Sequence, residues 1–167
     1  PRLVYASEWA GPTQLYAVDP TGRAPRAQLT FRREAPGCLE TTTACGYTEP
    51  LAAPGGRAIA FRTAGWNRSG AGAPVLWIAN ADGRQARPVG IIGAFCCEPF
   101  EQHVAWSASG DALWYVGRDG LHAVRLRPYR NTSFVSGNSL GSFKCPSPAP
   151  NGRAVSFTDD VGRITIA

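Results

Sequence analysis

The chain has 167 residues and a net charge of +5, from 17 basic and 12 acidic side chains. It is 44% hydrophobic and 17% charged, which excludes a disordered segment. The 19 glycines and 14 prolines make about a fifth of the chain, against roughly 12% in an average protein, which excludes helix bundles and predicts many short strands. No apolar run reaches the roughly 18 residues of a membrane helix. The longest, Val89 to Cys97, is half that and holds two glycines. No Met occurs, even at position 1, so a processed, trimmed or partial chain is expected.

Strands are predicted in chain order from β-rich runs between turn signals. Leu3-Val4-Tyr5 and Gln14 to Val18 precede the turn Asp19-Pro20-Thr21-Gly22-Arg23, and Gln28-Leu29-Thr30-Phe31 follows it. The turn Ala53-Pro54-Gly55-Gly56-Arg57 leads into Ala58-Ile59-Ala60-Phe61, then Val75 to Asn80, the turn Ala81 to Arg84, and Ala86 to Val89. Val104-Ala105-Trp106 leads through Ser107 to Asp111 into Ala112 to Val116. The turn Arg118-Asp119-Gly120 and the run Leu121 to Leu126 come next. The turn Pro148 to Arg153 introduces Ala154 to Phe157 and then Arg163 to Ile166. The equivalent triplets begin at positions 3, 59, 113 and 155, a spacing of about 42 to 56 residues. Four short strands at such a spacing are the signature of a propeller blade. Loops rich in Gly, Thr, Pro and Cys fill roughly 32–48, 64–73 and 90–101. Leu76 to Ala79 and Leu113 to Val116 are apolar on both faces, as strands sandwiched between sheets must be. Asp82-Gly83, Asp119-Gly120 and Asn151-Gly152 supply the positive φ of tight turns.

Sixteen of the basic residues are Arg and only Lys144 is Lys. The arginines are scattered, mostly beside turn glycines, as at Arg23, Arg57, Arg84, Arg118, Arg153 and Arg163. Without a basic stripe interleaved with aromatics, nucleic acid is not an expected partner. Five cysteines, Cys38, Cys45, Cys96, Cys97 and Cys145, include no C-x-x-C pair, and only two histidines accompany them, so no metal site is expected. The odd count leaves at least one thiol free or paired outside the chain. An exported protein with one or two disulfides is one reading, and buried inert thiols are the other.

The repeats resemble the TolB-like, WD40-like β-propeller family, whose blade runs from a Ser-Pro-Asp-Gly-Arg/Lys turn into Ile-Ala-Phe. Trp106 to Asp111 and Ala149-Pro150-Asn151-Gly152-Arg153 match that turn. Ala53 to Arg57 matches it with Gly55 in place of Asp, and Gln28-Leu29-Thr30 matches the blade's end. The resemblance implies an all-β propeller of about three and a half to four four-stranded blades, part of a larger ring of six or more. One domain over 1–167 is expected, with blades at roughly 1–32, 44–92, 101–137 and 142–167. The resemblance covers periplasmic TolB and the gating propellers of prolyl oligopeptidase-like enzymes. The Gly-x-Ser-x-Gly elbow of the latter's catalytic domain is absent from this sequence.

Under that resemblance, innermost strands line a channel, and the loops that open them form one face. Cys45, Cys97 and Cys145 are expected just before three such strands. Glu49, Glu98, Glu101 and Lys144 lie in the same loops and are candidate contacts for a peptide or glycan, and His103, beside Glu98 and Glu101, is a candidate base or ligand-facing residue. His122 is assigned to packing or surface. Trp66, in a glycine-bounded loop, is a candidate binding anchor, and Cys38 and Cys45 are the candidate disulfide. No catalytic residue and no cofactor is expected. The implied function is a non-catalytic binding or scaffold module of an exported bacterial protein, periplasmic or extracellular, that holds a protein or peptide. The alternative is the gating propeller of a hydrolase, and a glycan-processing enzyme is third. Open propeller edges predict self-association.

Overall fold

The structure is a computed structural model that describes residues 2–7, 13–30, 46–64, 74–92, 103–117, 119–136, 143–159 and 163–166. These form antiparallel sheets without a helix. The first sheet has the order β1 (Leu3–Ser7), β2 (Gln14–Val18), β3 (Ala27–Gln28). The second runs β4 (Gly46–Ala52), β5 (Ala58–Ala64), β6 (Val75–Asn80), β7 (Arg87–Ile91). The third runs β8 (Val104–Trp106), β9 (Ala112–Gly117), β10 (Gly120–Leu126), β11 (Tyr129–Ser136). The fourth has β12 (Phe143–Pro148), β13 (Val155–Asp159), β14 (Ile164–Ile166). Strands therefore pair in chain order within each sheet, as a blade requires. The chain divides into two compact units, 1–52 with 56–88, and 53–55 with 89–167.

In the first unit the core gathers Leu15 and Leu29 from the first sheet with Tyr47, Ile59, Phe61 and Trp77 from the second. Tyr47 meets Phe61 edge-on at 5.2 Å and Trp77 edge-on at 5.7 Å. Such aromatic pairs add about 0.5–1.5 kcal/mol each beyond the area they bury. Gly46 makes the close approach of the two sheets feasible. Its φ is 150°, a Cβ there would strike the Thr13 carbonyl, and that carbonyl accepts the Tyr47 N–H at 2.8 Å.

In the second unit Trp114, Val116, Leu121 and Ala123 of the third sheet pack with Val155 and Phe157 of the fourth. Residues 58–61 of β5, 76–79 of β6 and 113–116 of β9 are buried on both faces, which is why these runs are apolar without alternation. Tight turns follow the repeat. Gly110 N–H donates to the Ser107 carbonyl at 2.9 Å, and Gly152 N–H to the Ala149 carbonyl at 2.8 Å. Asn151 Oδ1 accepts the Arg153 N–H at 3.0 Å, and Asp82 Oδ1 accepts the Arg84 N–H at 3.0 Å, the local bonds that favour Asx residues in turns. Among the described residues no helix is long and apolar enough to cross a membrane.

Candidate functional site

Glu49 lies inside β4, not in a loop ahead of it. Its φ is 54°, where the pairing register of β4 with β5 shifts between Thr48 and Leu51. A bulge of this kind re-aims a side chain, and here it turns the carboxylate onto Arg62 of β5. Arg62 Nη2 donates to Oε1 at 2.6 Å, and Nε lies 2.5 Å from Oε2. The side chains are 14% exposed for Arg62 and 33% for Glu49. The contact is a bidentate, charge-assisted pair at the margin of the core.

Cys145 repeats the same backbone in β12. Its φ is 51°, and the register with β13 shifts between Lys144 and Ser147. Pro146 follows it as Pro50 follows Glu49. A left-handed conformation costs a residue with a Cβ about 1–2 kcal/mol. Two such residues at matching bulges are a strained, recurring device of the first strand. The Cys145 thiol is exposed and free. It stands within β12, not before it as the sequence alone predicts for this cysteine. Counting back instead from Ala58, Ala112 and Ala154, each nine residues on, gives Glu49, His103 and Cys145. His103 precedes β8, is fully buried, and its carbonyl accepts the Val116 N–H at 2.8 Å.

Lys144 lies on β12 in register with Thr158. Trp66, Glu98, Glu101, Cys38, Cys45, Cys96 and Cys97 lie outside the described residues. Glu49 belongs to the first unit, and His103 and Lys144 belong to the second. The structure thus ties Glu49 to Arg62, a partner the sequence reading missed. The only signal for it was the Glu-Pro pair opposite an Arg on the next strand.

A second polar group forms around His122. Its Nε2 lies 2.8 Å from Asp119 Oδ1, and its ring stacks on Tyr115 at 4.8 Å and 15°. The Tyr115 hydroxyl accepts from Asn131 Nδ2 at 3.0 Å. Burial pushes the Tyr115 hydroxyl above its ordinary 10.0, with the Asn131 hydrogen bond opposing. Slight burial acts to raise the Asp119 carboxyl, but the His122 hydrogen bond and its own backbone N–H hold it below the ordinary 3.8. His122 is 7% exposed, and this group ties β9, β10 and β11 together as packing.

No family model matches the chain. No curated protein matches it either. Solved structures do. An oligogalacturonate lyase in complex with manganese aligns at a TM-score of 0.52 and 13% identity, over 91% of this chain and 39% of that one. A protein described as TolB, from Agrobacterium tumefaciens, aligns at 0.51 and 17% identity, over 99% of this chain and 56% of that one. The chain therefore spans between about two fifths and somewhat over half of the length of these structures. Both neighbours are β-propeller proteins. At these identities the likeness shows fold: the chain is an all-β, TolB-like β-propeller in fold, built from three- and four-stranded blades.

Proposed function

We propose that this chain is a non-catalytic binding module of an exported bacterial protein, and that it holds a protein or peptide through the segments that open the first strand of its sheets. One observation carries the reading. A single position of the repeat bears Glu49, His103 and Cys145 in successive sheets. Packing positions repeat in kind, as Ile59, Leu113 and Val155 do, because each blade buries the same surface. At Glu49 and Cys145 that position keeps one bulged, left-handed backbone while its chemistry changes, which the packing of the blade does not require. His103, in the same column, is buried and lacks the bulge. The strained φ of Glu49 and Cys145 supports the same view. The likenesses to TolB and to the lyase, at 17% and 13% identity, carry the fold and neither protein's chemistry.

The exposed Cys145 thiol offers the test. A library of cysteine-containing peptides is equilibrated with the folded protein under partial reduction, and captured peptides are identified by mass. Enrichment of one sequence class at Cys145, lost on Cys145→Ser and on denaturation, is the expected result. Capture in proportion to abundance, the same for folded and unfolded chain, overturns the proposal.

A further inference from the structure

The arginines look scattered in the sequence, but the β10–β11 register concentrates them. Arg125 and Arg130 are direct cross-strand partners, and both are exposed, as is Arg127 in the connection between them. Like charges directly opposite one another on a sheet are destabilising. Among the described residues no ion pair reaches either guanidinium. Asp111 lies in Coulomb range of Arg125, but its Oδ1 is already engaged: Ser107 Oγ donates to it at 2.9 Å and Ser109 Oγ at 2.5 Å.

Charge on an edge strand ordinarily guards against sheet addition. The sheet order is β11-β10-β9-β8, so among the described residues β11 is an edge, and Arg130 alone would serve as its guard. Arg125, on the strand behind, adds repulsion without guarding anything. Arg130 and Thr132 share one face of β11 by alternation. At the register shift that leaves Phe134 as the extra residue between Ser133 and Val135, the Phe134 ring lies on that same face, 52% exposed and 4.8 Å from Trp114. Four residues of extended chain span at most roughly 13 Å, and the bulge at Phe134 shortens and twists that stretch of β11. A strand lying along β11 therefore meets cations at one end, a neutral residue in the middle and an apolar surface at the other.

We infer that the β11 edge docks an extended polypeptide carrying a carboxylate opposite Arg125 and Arg130 and a large apolar side chain four residues away. Main-chain bonds to a free edge supply affinity in such additions, and alternate side chains supply specificity. The graded layout favours a peptide over nucleic acid, whose phosphates repeat evenly and reward cations along the whole track. The surface goes beyond the segments that open the first strands and does not depend on their role.

Fluorescence anisotropy with a labelled octapeptide, β-prone and bearing Glu and Leu four residues apart, tests it. Saturable binding is expected, weakened about tenfold or more by Glu→Gln in the peptide and by the double variant Arg125→Gln/Arg130→Gln. Leu→Ser in the peptide weakens it likewise. Phe134→Ser repeats that loss from the protein side, with a thermal melt as the folding control. Since the two arginines are exposed, their double variant keeps the fold, and unchanged affinity in it overturns the inference. So does an absence of saturable binding, or a single-stranded oligonucleotide that binds as tightly and loses as much in the double variant.

Discussion

At the scale of single residues, short polar contacts within the turn ahead of β9 set the ionisation of Asp111. Asp111 is exposed, yet hydrogen bonds from Ser109 and then Ser107 hold its carboxyl below the ordinary 3.8. The Ser107 Oγ also accepts the Ala112 N–H at 3.1 Å, so the carboxylate helps close the turn into β9. A folded-state value below the unfolded one means stabilisation that is fully present above the unfolded value and lost as pH falls through the folded one. The wild-type chain is therefore expected to be more stable than Asp111→Asn at pH 6. The difference shrinks once the pH drops below 3.8. Urea unfolding of both proteins across that window checks the sign. A gap that persists unchanged into strong acid would show that the carboxylate's charge is not what the serines hold.

At the scale of elements, the turns before β9 and β13 use one backbone for two environments. Gly110 and Gly152 have φ of 71° and 67°. A Cβ on Gly152 meets open space, whereas one on Gly110 runs into the Pro54 carbonyl. Gly152→Ala is thus expected to cost about 1 kcal/mol, the strain of an L-residue at positive φ. Gly110→Ala adds a backbone clash and is expected to cost about 1–3 kcal/mol more. Denaturant midpoints of the two variants measure the difference directly, and equal losses would remove the Pro54 contact from the account. These turns were legible in the sequence because Ser-x-Ser-Gly and Pro-Asn-Gly carry their own conformational demands. The sandwiched strands were legible too, since Leu113 to Val116 had to be buried on both faces. The bulges in β4 and β12 were not. A bulge adds one residue to one strand, which displaces the period by a single step inside segments whose lengths already vary. The column of Glu49, His103 and Cys145 was hidden for a further reason, that the loops ahead of these strands differ in length and offer no fixed point from which to count. The Glu49–Arg62 pair stayed hidden with the bulges, because a carboxylate reaches the neighbouring strand there only after the chain has bulged. Cross-strand register likewise brings Arg125 against Arg130, a juxtaposition that spacing along the chain does not show.

At the scale of the whole molecule, two opposing terms decide how copies of the chain behave together. The strand β14 ends the order β12-β13-β14 and carries Ile164 and Ile166, which are 77% and 74% exposed. An edge with two exposed β-branched apolar residues is a template for pairing with another chain. Against it stands a net charge of +5, which repels like molecules over a screening length of about 10 Å at 0.1 M salt and about 3 Å at 1 M. Self-association of the isolated chain is therefore expected to strengthen as salt is raised, opposite to an assembly held by ion pairs. Multi-angle light scattering should show a mass that climbs with concentration, more steeply at high salt. Replacing both residues in Ile164→Lys/Ile166→Lys removes the apolar edge and raises the repulsion, so it should return a monomer at either salt. A wild-type chain that stays monomeric at high concentration and high salt would mean that β14 is covered in solution. Association that weakens with salt would instead transfer the contact to charged groups, with the Arg125–Arg130 hairpin and the carboxylates of a second copy the first place to look.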